Sequence, residues 1–175
     1  MNTISKKNIG KILEQNWKAS CPDYLFVYRP PDAAQSFDMS SKLRFSQHSL
    51  CDYIMFDGNR NTLWTLELKS VAGMSISFER NKTDKGVIHY YQIESLKKTS
   101  MHKNLCSGFI LDFRGSDNTY FLPISQWDKL TNSIDKKSFN EKDLLSYTNS
   151  ILVYKKKLKV NYRYDIERFL NETRL

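Results

Sequence analysis

Asp52 and the triplet Glu67-Leu68-Lys69 are the residues of this chain whose types and spacing could do chemistry. In an extended segment alternate side chains leave on opposite faces, so within residues 62–70 Leu66 and Leu68 point one way while Glu67 and Lys69 share the other. Residues 52–56 form a second β-prone run, and Asp57-Gly58-Asn59-Arg60-Asn61 between the two runs is dense in turn-forming types, which reads as a hairpin. With residues 58–61 as the loop, Asp57 pairs with Thr62, and counting back along both strands brings Asp52 opposite Glu67 on one face. A five-residue loop would shift the register by one and require a bulge. Two converging carboxylates repel unless a cation neutralises them, and hard oxygen ligands suit Mg²⁺ or Mn²⁺. Such an ion makes a nucleophile of water and offsets charge on a phosphate, with Lys69 stabilising that charge or orienting the water, so the chemistry indicated is phosphodiester hydrolysis. A bare Glu-x-Lys is more often an ion pair on the solvated face of an amphipathic strand, and the rest of the chain has to decide between the two.

The elements that must position these residues follow from periodicity and turn chemistry. A helix is predicted over 6–18, with Ser5 as N-cap and Ile9, Leu13 and Trp17 as its apolar stripe. Glu14 flanks that stripe, where it can either reach a metal through a water or pair on the surface with Lys11 or Lys18. A strand over 24–28 ends at Pro30-Pro31, and residues 29–50 read as an arm, in which Phe37, Arg44, Phe45 and His48 either touch nucleic acid or pack on the core or a second subunit. A helix over 85–99 would place Ile88, His89, Gln92, Ile93 and Leu96 on one face, so Gln92 lies in a mainly apolar stripe and its amide must be satisfied. It can cap a neighbouring carbonyl or orient an attacking water; His89 reads as packing or as a phosphate contact. Strands are predicted over 105–113 and 119–124, then helices over 125–132, over 140–147 with Asn140 as N-cap, and over 164–173. The fold class is α/β, a central mixed sheet flanked by helices.

With 175 residues, of which 40% are apolar, the chain can bury one sizeable core without staples, and residues 1–175 are expected to form a single domain. A net charge of +8 with a pI near 9.3 makes a polyanion the expected partner. The positive residues cluster, with Lys6, Lys7 and Lys11 around the first helix, Lys97, Lys98 and Lys103 after the second, and Lys155, Lys156, Lys157 and Lys159 near the end. Each cluster can also simply solubilise its surface. Cys21, Cys51 and Cys106 are odd in number and lack zinc or redox spacing, which points to a reducing cytoplasm. No apolar run approaches the roughly 20 residues that span a bilayer, so no membrane partner is expected. A Gly-rich phosphate loop, zinc spacing and a G-x-S-x-G elbow are all missing from the sequence, which leaves no nucleotide cofactor and no covalent nucleophile in view.

Several motifs occur together in one order. They are Asn8-Ile9-Gly10-Lys11-Ile12-Leu13-Glu14; Cys51-Asp52-Tyr53; Leu66-Glu67-Leu68-Lys69-Ser70; His89-Tyr90-Tyr91-Gln92-Ile93; Gly108-Phe109-Ile110 with 119–124; 136–143; and 161–166. In this ordered combination, over essentially the whole length, the chain resembles the RecU-type Holliday-junction resolvases of bacteria and phages, within the PD-(D/E)xK nuclease superfamily. The resemblance implies a restriction-endonuclease-like core with a short protruding stalk or arm over 29–50. It also implies a Mg²⁺-dependent endonuclease, with Mn²⁺ as a substitute, that nicks a four-way DNA junction symmetrically as a homodimer in recombination and repair. Asp52, Glu67 and the main-chain carbonyl of Leu68 would hold the ion, Lys69 would assist water attack, and Gln92 and Glu14 would tune or position the water. Lys6, Lys7, Lys11, Arg29, Arg44, Lys97, Lys98, Lys155, Lys156 and Lys157 are the candidate DNA contacts, and the expected setting is a bacterial cell, with a host or phage gene as source. Cys51 stands where the superfamily nominally has Pro, and the arm is short compared with bacterial members, which implies altered junction selectivity. Two other readings remain at this point: a nuclease of the same superfamily acting on duplex, flapped or nicked DNA, and a non-catalytic architectural DNA-binding protein.

Overall fold

A computed structural model describes residues 9–31 and 49–173. Within them the chain runs α1 (Ile9–Ser20), β1 (Phe26–Tyr28), β2 (Tyr53–Asp57), β3 (Thr62–Val71), β4 (Ser75–Ser77), α2 (Tyr90–Ser100), β5 (Leu105–Phe113), β6 (Asn118–Pro123), a 3₁₀ turn at Ile124–Gln126, α3 (Trp127–Asn132), β7 (Ser138–Asn140), α4 (Glu141–Tyr147), β8 (Ile151–Leu152), β9 (Lys155–Lys157), β10 (Tyr162–Tyr164) and α5 (Ile166–Glu172). Six strands form one sheet in the order β1-β2-β3-β5-β6-β8, in which only β3 and β5 pair parallel. The expected mixed sheet flanked by helices is therefore present. The candidate arm lies mostly at 32–48, outside the described residues, together with Phe37, Arg44, Phe45 and His48.

β3 and β5 run through the middle of the sheet and are covered on both faces, which is why Leu105–Phe113 reads as an almost unbroken apolar run instead of an alternating one. On one face Phe109, Leu111 and Phe113 pack with Ile93 and Leu96 of α2, Trp127 of α3 and Phe139 of β7. On the other, Trp64, Leu66 and Ile110 pack with Leu13 and Trp17 of α1 and with Phe169 and Leu170 of α5. Trp17 meets Tyr164 and Phe169 at ring-centroid distances of 5.4 and 5.3 Å, and its indole N–H donates to the Met55 sulfur, so α1 is pinned beside β2.

The β2–β3 hairpin settles the register question. Asp57 is fully buried, accepts the Asn59 and Arg60 amides through Oδ1, and pairs with the Arg60 guanidinium. Asn61 takes φ 48°, a left-handed conformation that Asn tolerates well. This side-chain-capped loop of residues 58–61 fixes Asp57 opposite Thr62 and Tyr53 opposite Leu66, so the next residue back, Asp52, falls opposite Glu67 as expected. The Asp52 amide donates to the Leu66 carbonyl at 3.1 Å and extends the ladder by one bond.

One expectation is corrected, and one segment to which the sequence assigned no element is placed. The second helix begins at Tyr90, not residue 85, because Ile88 is held in a bridge to Phe78 and Gly86 lies so close to the Phe78 backbone that a Cβ would meet it at 2.7 Å. The lysine run 155–157 is a strand of a two-stranded sheet with β10, in the register Lys155 to Tyr164 and Lys157 to Tyr162.

Candidate active site

Four of the five predicted catalytic side chains lie at one end of β3, and three of them touch. Glu67 is 4% exposed, and its Oε1 accepts from the Lys69 ammonium at 2.9 Å and from the Gln92 amide of α2. The Gln92 carbonyl oxygen accepts the His89 backbone N–H at 3.0 Å, so the amide's orientation is set at both ends and its nitrogen must face Glu67. Gln92 caps a backbone N–H at the entry to α2 instead of the carbonyl expected of it, and its other end reaches the acidic site. Asp52 is held from another direction, its Oδ2 accepting the Leu68 amide at 2.7 Å. A strand residue sends its N–H and C=O to the same edge, so the Leu68 carbonyl also faces the Asp52 side.

Electrostatically the two acids are only partly compensated, by the single ammonium of Lys69. Burial first, and the Glu67 charge second, hold the Asp52 carboxyl above the ordinary carboxylate range, against the opposing pull of the Leu68 amide and Lys69. Among the described residues no three His, Cys, Asp or Glu side chains gather into a metal-binding group, so the protein offers two carboxylates and a main-chain carbonyl. That donor set consists only of hard oxygens, and the mutual repulsion of the acids is what a divalent cation would relieve. The residues present fit Mg²⁺ or Mn²⁺.

Glu14 sits apart. It pairs with Arg29 at 2.7 Å, not with Lys11 or Lys18, and its own backbone carbonyl accepts the Tyr53 hydroxyl. Its charge still adds to the rise of the Asp52 carboxyl, so it lies within electrostatic range of the pair. Arg29, predicted as a DNA contact, is engaged by that ion pair.

Sequence reasoning missed Glu79 and Tyr91. Glu79 accepts from the Tyr90 amide and pairs with His89 Nδ1, both at 2.8 Å, and these two bonds hold its carboxyl below the ordinary range despite burial. The His89 ring stacks on Tyr91 at 5.5 Å and 9°. Burial, then the charges of Glu67, Asp52 and Glu79, raise the Tyr91 phenol, which places it at the edge of the acidic site. A cavity of about 510 Å³ opens there, lined by Glu79, Lys82, Tyr90, Tyr91 and Glu94. Nothing in local periodicity marks Glu79, since it follows a three-residue strand that itself has no period to read.

The predicted DNA contacts divide. Lys11, Lys98, Lys156 and Lys157 are exposed. Lys97 pairs with Asp128 at 2.7 Å. Lys155 is a correction: its side chain is 7% exposed, bonded at 3.0 Å to both Asp112 and Asp117, and stacked over the Tyr162 ring, so it braces the fold and is withdrawn from any phosphate. Lys6, Lys7 and Arg44 lie outside the described residues. The three cysteines are unbridged, and among the described residues no helix is long and apolar enough to cross a membrane.

No protein-family model matches the chain. A curated relative, the SPbeta prophage-derived uncharacterized protein YotM of Bacillus subtilis (strain 168), is 29% identical over 187 residues, which cover 97% of this chain and 88% of that protein. Among solved structures the chain is similar to Hjc, a Holliday junction resolvase from the archaeal hyperthermophile Archaeoglobus fulgidus, at 14% identity and a TM-score of 0.47, over 85% of this chain and 95% of that one.

Proposed function

We propose that this chain is a divalent-metal-dependent endodeoxyribonuclease of the PD-(D/E)xK type, that its substrate is branched DNA, with the four-way junction as the preferred form, and that it acts as a homodimer. The observation that carries the reading is the convergence of Asp52, Glu67, Lys69 and Gln92 from two strands and a helix on one buried acidic point of a basic chain. A six-stranded mixed sheet in which β1, β2 and β3 follow α1 and β5 follows α2 supports the restriction-endonuclease-like reading, and the prophage-derived relative supports a phage source.

Asp52, Glu67 and the Leu68 carbonyl would hold the ion. A divalent cation bound there supplies Lewis acidity, activating water and countering charge on the phosphate. The chain's own residues do the rest. The Leu68 amide fixes the Asp52 rotamer, and the Gln92 amide, itself anchored by the His89 N–H, fixes Glu67. Lys69 carries the positive charge nearest the acids, and Glu67 aims its ammonium along the strand face, where it can steady the developing negative charge of a phosphate. Exposed lysines contribute the salt-sensitive, sequence-independent part of binding.

The test is cleavage of a labelled mobile four-way junction beside matched linear duplex and flap, with Mg²⁺ and with EDTA, using wild type and Asp52→Asn. Paired symmetric nicks confined to the junction support the full reading. Equal cutting of duplex removes the junction preference, and metal-independent binding with no cutting replaces the nuclease by an architectural protein.

A further inference from the structure

The β9–β10 hairpin is a mounted arm whose tip is left unpacked. From Lys155 to Arg163 the sequence KKKLKVNYR contains five basic residues and no acidic one. At its turn, where the Leu158 amide donates to the Asn161 carbonyl at 2.7 Å, Val160 is 85% exposed and Leu158 44%. Apolar side chains on a hairpin tip gain nothing from water, and here they are flanked by the exposed Lys156, Lys157 and Lys159.

The base of the hairpin is, by contrast, held firmly. Buried Lys155 bonds Asp112 and Asp117, Arg163 donates to the Ala19 carbonyl at the end of α1 at 2.7 Å, and the Asp165 amide donates to the Tyr154 carbonyl at 2.8 Å. Asp112 also accepts the Ser70 hydroxyl at 2.8 Å and lies in register with Ser70, the residue after Lys69. Ser70 and Asp112 are on the α1 face of the sheet, Glu67 and Lys69 on the α2 face. The hairpin is thus tied to the same end of β3 that carries the acidic site, from the opposite face.

We propose that this hairpin is a nucleic-acid wedge: Lys156, Lys157 and Lys159 take backbone phosphates beside a branch point, and Leu158 and Val160 enter the interrupted base stack. The proposal rests on the reading of the chain as a DNA enzyme and adds to it the element that distinguishes branched from continuous duplex. Charge complementarity selects a polyanion, and the apolar tip selects one that exposes base faces, because inserting a side chain into an intact stack costs unstacking energy that a branch point has already lost. The buried Lys155–Asp112 ion pair, joined by the half-exposed Asp117, anchors the base of the hairpin to the sheet.

Binding is measured in EDTA by fluorescence anisotropy on a labelled four-way junction and a linear duplex of the same sequence, with phosphatidylserine vesicles as a third probe. Wild type is compared with Leu158→Ser/Val160→Ser and with Lys156→Gln/Lys157→Gln/Lys159→Gln. All five side chains are exposed, so melting midpoints should match wild type and separate a folding defect from a binding one. The apolar variant is expected to lose about tenfold in junction affinity with duplex affinity unchanged, in line with the loss of an aliphatic wedge between base steps. The lysine variant is expected to weaken both, with the log–log salt slope shallower by about three. An apolar variant that leaves the junction-to-duplex ratio at the wild-type value, a lysine variant that binds like wild type, or a hairpin needed for vesicles and not for DNA would each overturn the wedge. Because cleavage is not read, the two proposals fail separately: a protein that cuts nothing yet shows this binding pattern loses the nuclease reading and keeps the wedge.

Discussion

Asp52→Asn should make the protein more stable without metal and less stable with it, relative to wild type. Asn is close in shape, and its side-chain oxygen can still accept the Leu68 amide, so the change removes one charge and little packing. Directly opposed side chains on paired strands have Cβ atoms about 5 Å apart, where two unit charges at an effective dielectric of about 20 repel by about 3 kcal/mol. Lys69, 2.9 Å from Glu67, offsets part of this, and about 1–2 kcal/mol of relief is expected to remain. For a chain of this size that is a rise in Tm of roughly 2–8 °C in EDTA. Wild type should instead gain from Mg²⁺, by about 2.7 kcal/mol at one hundred times Kd or roughly 5–11 °C, while the variant gains little. The pH sign is also fixed. A carboxyl raised in the folded state binds its proton more tightly there than in the unfolded chain, so wild-type stability in EDTA falls as pH climbs from the ordinary carboxylate value through the raised one, and Asp52→Asn flattens that fall. Thermal melts by circular dichroism, with Mg²⁺ and with EDTA, decide the matter. A variant that melts lower than wild type in EDTA, or that keeps the full Mg²⁺ shift, would refute the reasoning.

Gln92→Leu strands the His89 amide and removes a donor from buried Glu67; a loss of about 1–3 kcal/mol in chemical denaturation is expected, together with reduced cleavage. Lys69→Gln should lower single-turnover cleavage by about 10²–10³-fold, the scale of losing one charge-stabilising donor, with DNA binding in EDTA changed far less. Lys155→Met leaves Asp112 buried beside an apolar chain and should cost about 3–5 kcal/mol in urea unfolding, whereas Lys156→Gln, one residue along on the surface, should stay within about 0.5 kcal/mol. Gly108→Ala places a methyl 2.4 Å from the Leu122 carbonyl oxygen and 2.6 Å from the Phe121 ring, and reduced soluble expression or a loss of stability above about 1–3 kcal/mol should follow.

The parts of this molecule legible in the sequence are those whose cause is local. Alternation in 62–70 and the turn chemistry of 57–61 gave the hairpin and its register because Asp57 builds the loop from within it. Asn140 was readable as an N-cap because its own side chain accepts the Asp143 amide three residues on. What escaped reading depends on partners far along the chain. β4 and β7, each three residues long, have no period to detect, yet Ile76 and Phe139 pair across more than sixty positions and are wholly buried. The early start predicted for α2 failed for the same kind of reason, since Ile88 fits the helical stripe but is claimed by Phe78. Lys155 looked like the first member of a surface run because nothing nearby in sequence shows that Asp112 and Asp117 converge on it.

Asp112 and Asp52 lie at this end of the sheet on opposite faces, and they show what separates a brace from a site. Asp112 is bonded to the Ser70 and Thr119 hydroxyls and to the Lys155 ammonium, so a buried charge is matched by a buried opposite charge and by donors of the right number and kind. Asp52 receives the Leu68 amide and faces Glu67, a like charge, and the nearest ammonium, that of Lys69, is bonded to Glu67 instead. The two surroundings therefore differ in charge balance: Asp112 is matched by an opposite charge, while Asp52 faces a like charge whose repulsion a positive ligand would relieve. A chain that needed only stability could place an apolar residue at position 52, as it does at Tyr53 and Met55 on the same strand. An acid kept opposite Glu67 makes physical sense where something cationic enters, because the like charges that repel in its absence both attract it.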